Sequence, residues 1–231
     1  MQGLSIQRVM LLTLIALIFA MATRIPVDTD TWWHIRSGEY TLNEGFIYQD
    51  PFSHTRAGED WINHSWGAQI VLYGLYEVLG NTGLTLFTAI LATAGTMMLY
   101  PVCAGNVYLR AFALVLCAAT AAVFWSARPQ MFSFFLSAVV FYLLYRVKRD
   151  RVDWLWLLVP VMWLWGNLHA GWSIGFILMG GVIGGEILGY MFAPQDARRI
   201  PWKGLRKLAI VAVLSAAVLV IPFHSQPKQM M

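Results

Sequence analysis

Apolar runs recur along the whole chain, and polar residues are confined to the gaps between them. The first run, Ser5 to Ala22, has Arg8 ahead of its core and is just long enough to cross a bilayer, which takes roughly 17–25 apolar residues. It has two readings. Ala20-Met21-Ala22 has the small-residue form of a signal-peptide cleavage site, whereas an uncleaved first span fits the many later apolar runs. The second run, Trp66 to Leu79, is too short to cross comfortably, and Gly80-Asn81-Thr82-Gly83 breaks it from the next. It is expected as a helix lying at the membrane interface. Further spans are expected over Leu84–Val102, Leu109–Trp125, Met131–Tyr145, Trp154–Leu168, Trp172–Phe192 and Leu208–Ile221. The pattern predicts an all-α integral membrane protein, a single multi-spanning bundle with about seven spans over residues 1–231 and a tail from Pro222.

Composition sharpens this picture. The chain is 231 residues, 58% hydrophobic and 12% charged, about half the charge of a soluble domain. A net charge of +4 reflects short basic loops and carries no nucleic-acid footprint. Those loops, Arg146-Val147-Lys148-Arg149-Asp150-Arg151 and Arg198-Arg199 with Lys203, Arg206 and Lys207, are cytoplasmic under the positive-inside rule. Counting spans back from them puts the N-terminus inside. Crossing by Trp66–Leu79 would reverse this, which is why that run is kept at the interface. Cys103 and Cys117 fall in or beside apolar runs and form no disulfide or zinc pattern. No internal repeat or soluble domain is evident.

The block from Thr23 to Ser65 is the one sizeable polar segment and is expected to be a large first extracytoplasmic loop carrying short helices. Asp30 is a candidate N-cap for a helix from Thr31 to about Asn43, with Gly45 as its stop. An irregular piece runs from Asp50-Pro51 through Gly58. The inferred topology gathers Asp28, Asp30, His34, Asp50, His54, His64, Arg128 and His169 on the outer side, which suggests a site at that surface.

Each group has a chemical reading and a plainer one. Asp28 and Asp30 form a D-x-D pair at headgroup depth. It can hold a divalent cation (Mg or Mn) with a sugar phosphate, or supply a general base, or merely cap a helix. Trp32 and Trp33 can stack on a sugar or prenyl chain, or anchor the chain at the interface. His34, His54 and His64 are candidate metal ligands or phosphate partners; their irregular spacing matches no metal motif, and His54 reads as surface. Arg128 suits phosphate or snorkels to lipid headgroups. Asn167 and His169 face a site or satisfy a helix end. Gly171, Gly175, Gly181, Gly185 and Gly189 read as helix packing, and Glu186 falls toward the cytoplasmic side.

Taken together, Asp28-Thr29-Asp30-Thr31-Trp32-Trp33-His34, Asp50-Pro51-Phe52-Ser53, Trp61-Ile62-Asn63-His64-Ser65-Trp66, Arg128-Pro129-Gln130-Met131-Phe132 and Asn167-Leu168-His169-Ala170-Gly171 resemble the N-terminal half of bacterial GT-C-type membrane glycosyltransferases. That superfamily includes protein O-mannosyltransferases and aminoarabinose transferases. The resemblance runs from about Arg8 to Ile221. It implies an inner-membrane enzyme that moves a sugar from a polyprenyl-phosphate donor to a glycan, lipid or protein acceptor on the outer face. Asp28 and Asp30 would be catalytic, Asp28 as the base or in orienting the acceptor and Asp30 as its partner. Trp33, His34, Asp50, His64, Arg128 and His169 would bind substrate, with Arg128 and a histidine on the departing phosphate. Members of the superfamily are longer, so the chain is expected to be a truncated form or a half that needs a partner. The alternative is a non-enzymatic transport or assembly subunit, which predicts polar residues along a path across the bundle.

Overall fold

The computed structural model describes residues 5–193 and 198–220, and every regular element among them is helical. The helices are α1 (Ile6–Ala22), α2 (Thr29–Asn43), α3 (Trp66–Met97), α4 (Val107–Ala121), α5 (Gln130–Asp150), α6 (Leu158–Leu168), α7 (Ser173–Phe192) and α8 (Trp202–Val220). Short 3₁₀ turns at Ala122–Phe124, Leu155–Leu157 and Ala170–Trp172 extend α4 and precede α6 and α7. Four stretches are long and apolar enough to cross a membrane: Trp66–Met97, Val107–Phe124, Gln130–Asp150 and Ala170–Phe192. Ile6–Ala22 and Leu155–Leu168 are apolar but shorter, and α8 carries Lys203, Arg206 and Lys207 in its first two turns. Pro222-Phe223-His224 and the end of the last apolar run lie outside the described residues.

Several expected boundaries move. Asp28, not Asp30, caps α2: its carboxylate accepts the Asp30 N–H at 3.0 Å. The earlier start leaves Asp30 in the first turn, where an acid meets the positive end of the helix dipole. Gly45, with φ 100°, comes just after the end of α2 as expected. The four-residue break before Leu84 shrinks to one residue. Gly80 has φ 59° and ψ −145° between two helical halves of α3, a conformation that side chains resist. A Cβ at Gly83 would stand 2.4 Å from the Leu75 carbonyl oxygen, so the two halves fold back closely. The basic run at Arg146–Asp150 is the last turn of α5 rather than a loop, and α5 stops at Arg151 in the left-handed region. Lys203, Arg206 and Lys207 are likewise helical.

Two apolar clusters form the interior. One joins α1, α3 and α4 with Ile35 of α2 and the start of α5, around Ile18, Leu72, Leu84 and Leu114. The other joins α5 to α8 around Val140, Leu158, Met162, Trp165 and Leu208. Helix α5 belongs to both and separates the polar groups of the molecule into two ends. Its 21 residues span about 30 Å at 1.5 Å per residue. At its C-terminal end the basic segments meet: Lys148 pairs with buried Glu186 at 2.7 Å, Glu186 accepts the Ile200 N–H at 2.9 Å, and Lys207 pairs with Asp153. Glu186 thus stands at the basic end, as its sequence position suggested. Arg128 lies just before the other end.

Candidate functional site

Helix α2 is laid against the first half of α3 by close contact. A Cβ at Gly38 would stand 2.2 Å from the Gln69 carbonyl oxygen, and Trp32 packs edge-on to Tyr76 at 5.6 Å between centroids. This seating points His34 at Gln69, whose amide lies 3.4 Å from His34 Nδ1 and whose oxygen accepts from Asn63 Nδ2 at 2.8 Å. Asn63 comes from the Trp61–Trp66 element, so that element is tied to both helices.

The N-terminus of α2 meets the segment before α5. Arg128 donates from Nη1 to Asp28 at 3.1 Å and from Nη2 to Asp30 at 2.7 Å. The two carboxylates share one guanidinium, in the fork geometry that arginine favours. The side chains of Asp28 and Arg128 are 26% and 30% exposed and that of Asp30 is 52% exposed, so Asp30 is the carboxylate open to a ligand. Burial pushes the Asp28 carboxyl up, but the Asp30 N–H, the Arg128 guanidinium and the Ser126 hydroxyl outweigh it and hold the carboxyl below its ordinary value. A cavity of about 310 Å³ opens beside Asp28, with Arg24, Thr88, Trp125 and Ser126 among its walls.

The histidines complete the cluster. His64 and His169 face each other with ring centroids 6.4 Å apart. Burial, followed by the charge of Arg128, lowers His34 to about 4 against the pull of Asp30, and His64 and His169 contribute in the same direction as burial. Burial, His64 and Arg128 also lower His169. Behind His169 stand two residues that hydropathy alone marked as span interior. Ser133 Oγ is 2.7 Å from His169 Nδ1, and Trp165 Nε1 donates to Ser133 Oγ at 2.7 Å. A second cavity of about 380 Å³ is bordered by His169, Ser133 and apolar Phe124, Trp125, Phe134 and Ile174.

Six of the expected site residues therefore converge: Asp28, Asp30, His34, His64, Arg128 and His169. Trp33 and Asp50 are engaged otherwise. Trp33 packs with Phe52 and Trp61 at 4.9 and 5.7 Å. Asp50 is buried, and its Oδ1 accepts from the N–H groups of Phe52 and Ser53 at 2.9 and 3.0 Å. The Ser53 hydroxyl, together with those N–H groups, keeps the Asp50 carboxyl low. Both residues hold the irregular piece of the loop together. His54 is exposed, and the Asn167 amide turns back to the Trp163 carbonyl at 2.8 Å. Gln69, Ser133 and Trp165 were not singled out by sequence reasoning because each sits in an apolar run, and Asn63 entered only as part of the Trp61–Trp66 element.

The donor set does not fit a divalent cation well. Arg128 already sits on both carboxylates, and among the described residues no group of three or more His, Cys, Asp or Glu side chains is arranged to hold a metal ion. Comparison with protein-family models, with curated proteins and with solved structures found no match.

Proposed function

We propose that the chain is a GT-C-type glycosyltransferase, or the catalytic portion of one, with about seven spans in a bacterial inner membrane and its N-terminus in the cytoplasm. In this reading it transfers a sugar from a polyprenyl phosphate to an acceptor hydroxyl on the outer face. The observation that carries the proposal is the convergence of paired carboxylates, one arginine and three histidines at one end of an apolar bundle. The basic segments gather at the opposite end of α5, as the positive-inside rule requires of this orientation.

The chemistry rests on the contacts. The acceptor oxygen attacks the sugar's anomeric carbon while the bond to the lipid phosphate breaks and its electron pair leaves with the phosphate. The acceptor proton passes to a carboxylate. Asp28 spends one oxygen on the helix cap and the other on Arg128, so Asp30 is better suited to accept the proton and Asp28 to fix Arg128. Arg128 is suited to the charge that develops on the phosphate. The cavity beside Asp28 suits the acceptor, and the apolar cavity beside His169 suits a prenyl phosphate.

The test is transfer of radiolabelled sugar from a polyprenyl-phosphate donor in proteoliposomes. Asp30→Asn is expected to lower the rate by about 10²–10⁴-fold, the usual contribution of a general base. Unchanged transfer in Asp30→Asn and Asp28→Asn would overturn the mechanism. Absence of transfer with every donor class tried would overturn the function. For the topology, a cysteine at position 28 in a Cys103→Ser/Cys117→Ser background should react with an impermeant reagent from outside. The non-enzymatic alternative has one observation in its favour. Nothing lies within 4 Å of a Cβ built at Gly180, Gly181, Gly184, Gly185 or Gly189, so this face of α7 is open to a partner helix. Within the chain only Gly171 and Gly175 serve the close packing that the glycine spacing suggested, against Ser133 and Met162.

A further inference from the structure

Two contacts meet at one nitrogen of His169, and a third orients one of them. His169 Nδ1 lies 3.0 Å from the Gly171 backbone nitrogen and 2.7 Å from Ser133 Oγ, and Ser133 Oγ in turn receives the Trp165 indole N–H at 2.7 Å. A backbone N–H and an indole N–H can only donate. Gly171 therefore requires a lone pair on His169 Nδ1. Trp165 occupies the acceptor side of Ser133 and turns its hydroxyl proton toward the same nitrogen. A proton on Nδ1 would face the Gly171 N–H head-on. The ring is thus fixed with Nδ1 bare and its one proton on Nε2.

Nε2, on the opposite edge of the ring, has no partner among the described residues, and His169 borders the cavity of about 380 Å³ whose other walls are largely apolar. The charged and titratable groups around the ring are His64, Arg128 and His34. His64 and Arg128 oppose a second proton on it, and a charge on His34 would oppose it in the same sense. The arrangement depends on glycine at position 171, where a Cβ would stand 2.3 Å from Ser133 Oγ and 3.0 Å from His169 Nδ1.

We infer that His169 is a permanently neutral Nε2–H donor, held in that tautomer by Ser133, Trp165 and Gly171, and that it hydrogen-bonds a phosphate oxygen of an amphiphilic phosphate seated in the apolar cavity. It is not a proton acceptor in the reaction. Ser133 and Trp165 are positioning residues that act only through the imidazole. The choice of an amphiphilic phosphate rests on the glycosyltransferase reading, whereas the tautomer rests on the contacts alone.

The experiment is ¹⁵N–¹H correlation of the histidine rings in the detergent-solubilised full chain. His169 is assigned by its loss in His169→Gln, and spectra are taken from pH 6 to 8 with and without farnesyl phosphate. The expected result is an unprotonated Nδ1 and a protonated Nε2 throughout, with the Nε2–H signal shifting on farnesyl phosphate but not on farnesol. Inorganic phosphate should shift it only at far higher concentration, because it lacks the chain that the cavity holds. Ser133→Ala should weaken the lock and mix the two tautomers. A proton on Nδ1, or a doubly protonated ring near neutral pH, would overturn the assignment. An Nε2–H signal blind to farnesyl phosphate would overturn the ligand. Sugar transfer is scored separately. A fixed, phosphate-responsive His169 in a chain that transfers no sugar removes the glycosyltransferase reading and leaves the phosphate site. Transfer by a chain whose His169 carries its proton on Nδ1 does the reverse.

Discussion

Replacing Gly38 by alanine tests the seating of α2, on which the cluster depends. The new methyl would stand 2.2 Å from the Gln69 carbonyl oxygen, 2.6 Å from its carbon and 2.9 Å from Tyr73 Cβ. The first two are backbone atoms of α3 and cannot rotate aside. Relief to ordinary contact requires the helices to part by about 1 Å, and overpacking of this kind costs about 1–3 kcal/mol or more. Alanine recovers about 1 kcal/mol of helix propensity. Because the clash is with backbone, its cost belongs at the upper end, and a net loss of about 2 kcal/mol is expected. For a chain of this size that is a fall of roughly 4–8 °C in Tm. The same displacement carries the 3.4 Å contact between His34 and Gln69 out of hydrogen-bond range. Intrinsic tryptophan fluorescence during heating in detergent reads the change. Gly74→Ala, on α3, is the control, because nothing lies within 4 Å of its built Cβ, and it should hold or raise the Tm. Equal melting of the two variants would refute the close approach of α2 to α3.

Three further outcomes are expected. The unfolded chain protonates His34 near 6.5 and the folded chain only near 4. Its contribution is therefore full above pH 6.5 and is lost as pH falls through that window toward the folded value, with a ceiling of about 3 kcal/mol before solvent screening; His34→Gln should flatten the Tm difference between pH 7.5 and pH 5. Lys148→Met strands Glu186, which is 2% exposed, and should cost about 1–3 kcal/mol, below the figure for a fully buried pair because the lysine is half-exposed. Adding Glu186→Gln should restore much of the loss, read as Tm of the single and double variants. Asp50→Ala removes the acceptor for the Phe52 and Ser53 N–H groups and should speed tryptic cleavage at Arg56 without shifting the melting of the bundle; an unchanged cleavage rate would mean the loop is held by its backbone hydrogen bonds, the Arg56–Glu59 pair and its aromatic contacts.

The features legible in the sequence are those set by local forces. Helical class and apolar runs are written in hydropathy, and the polar block from Thr23 to Ser65 stands out because so little else is charged. Of the candidate site residues, the charged and imidazole groups converge because an apolar bundle leaves them few places to be. Trp33 and Asp50 were the exceptions, and their roles depend on a loop whose folding no periodicity encodes. Asp50 and Asp28 each cap a backbone turn with their side chains, but residue type alone does not distinguish such a cap from a site carboxylate. The cap position, the single-residue break at Gly80 and the helical state of Arg146–Asp150 are decided by tertiary seating. Ser133 and Trp165 were invisible for a related reason. A serine in an apolar run signals nothing until the tryptophan and histidine of another helix are brought to it.

The charge of the cluster constrains how any anion enters. Two carboxylates share one guanidinium, so this trio carries one formal negative charge, and burial holds the neighbouring His34 near 4. A phosphate arriving there meets repulsion unless it takes Arg128 from a carboxylate. Asp30 is the more exposed partner, and releasing it costs less than uncovering Asp28, whose oxygens also cap α2. In the glycosyltransferase reading proposed above, this exchange would place phosphate on Arg128 and free the carboxylate best suited to take the acceptor proton. Binding of the donor and arming of the base would then be one event, and a neutral His169 would add a hydrogen bond to the phosphate without adding a charge that holds Asp30 in place.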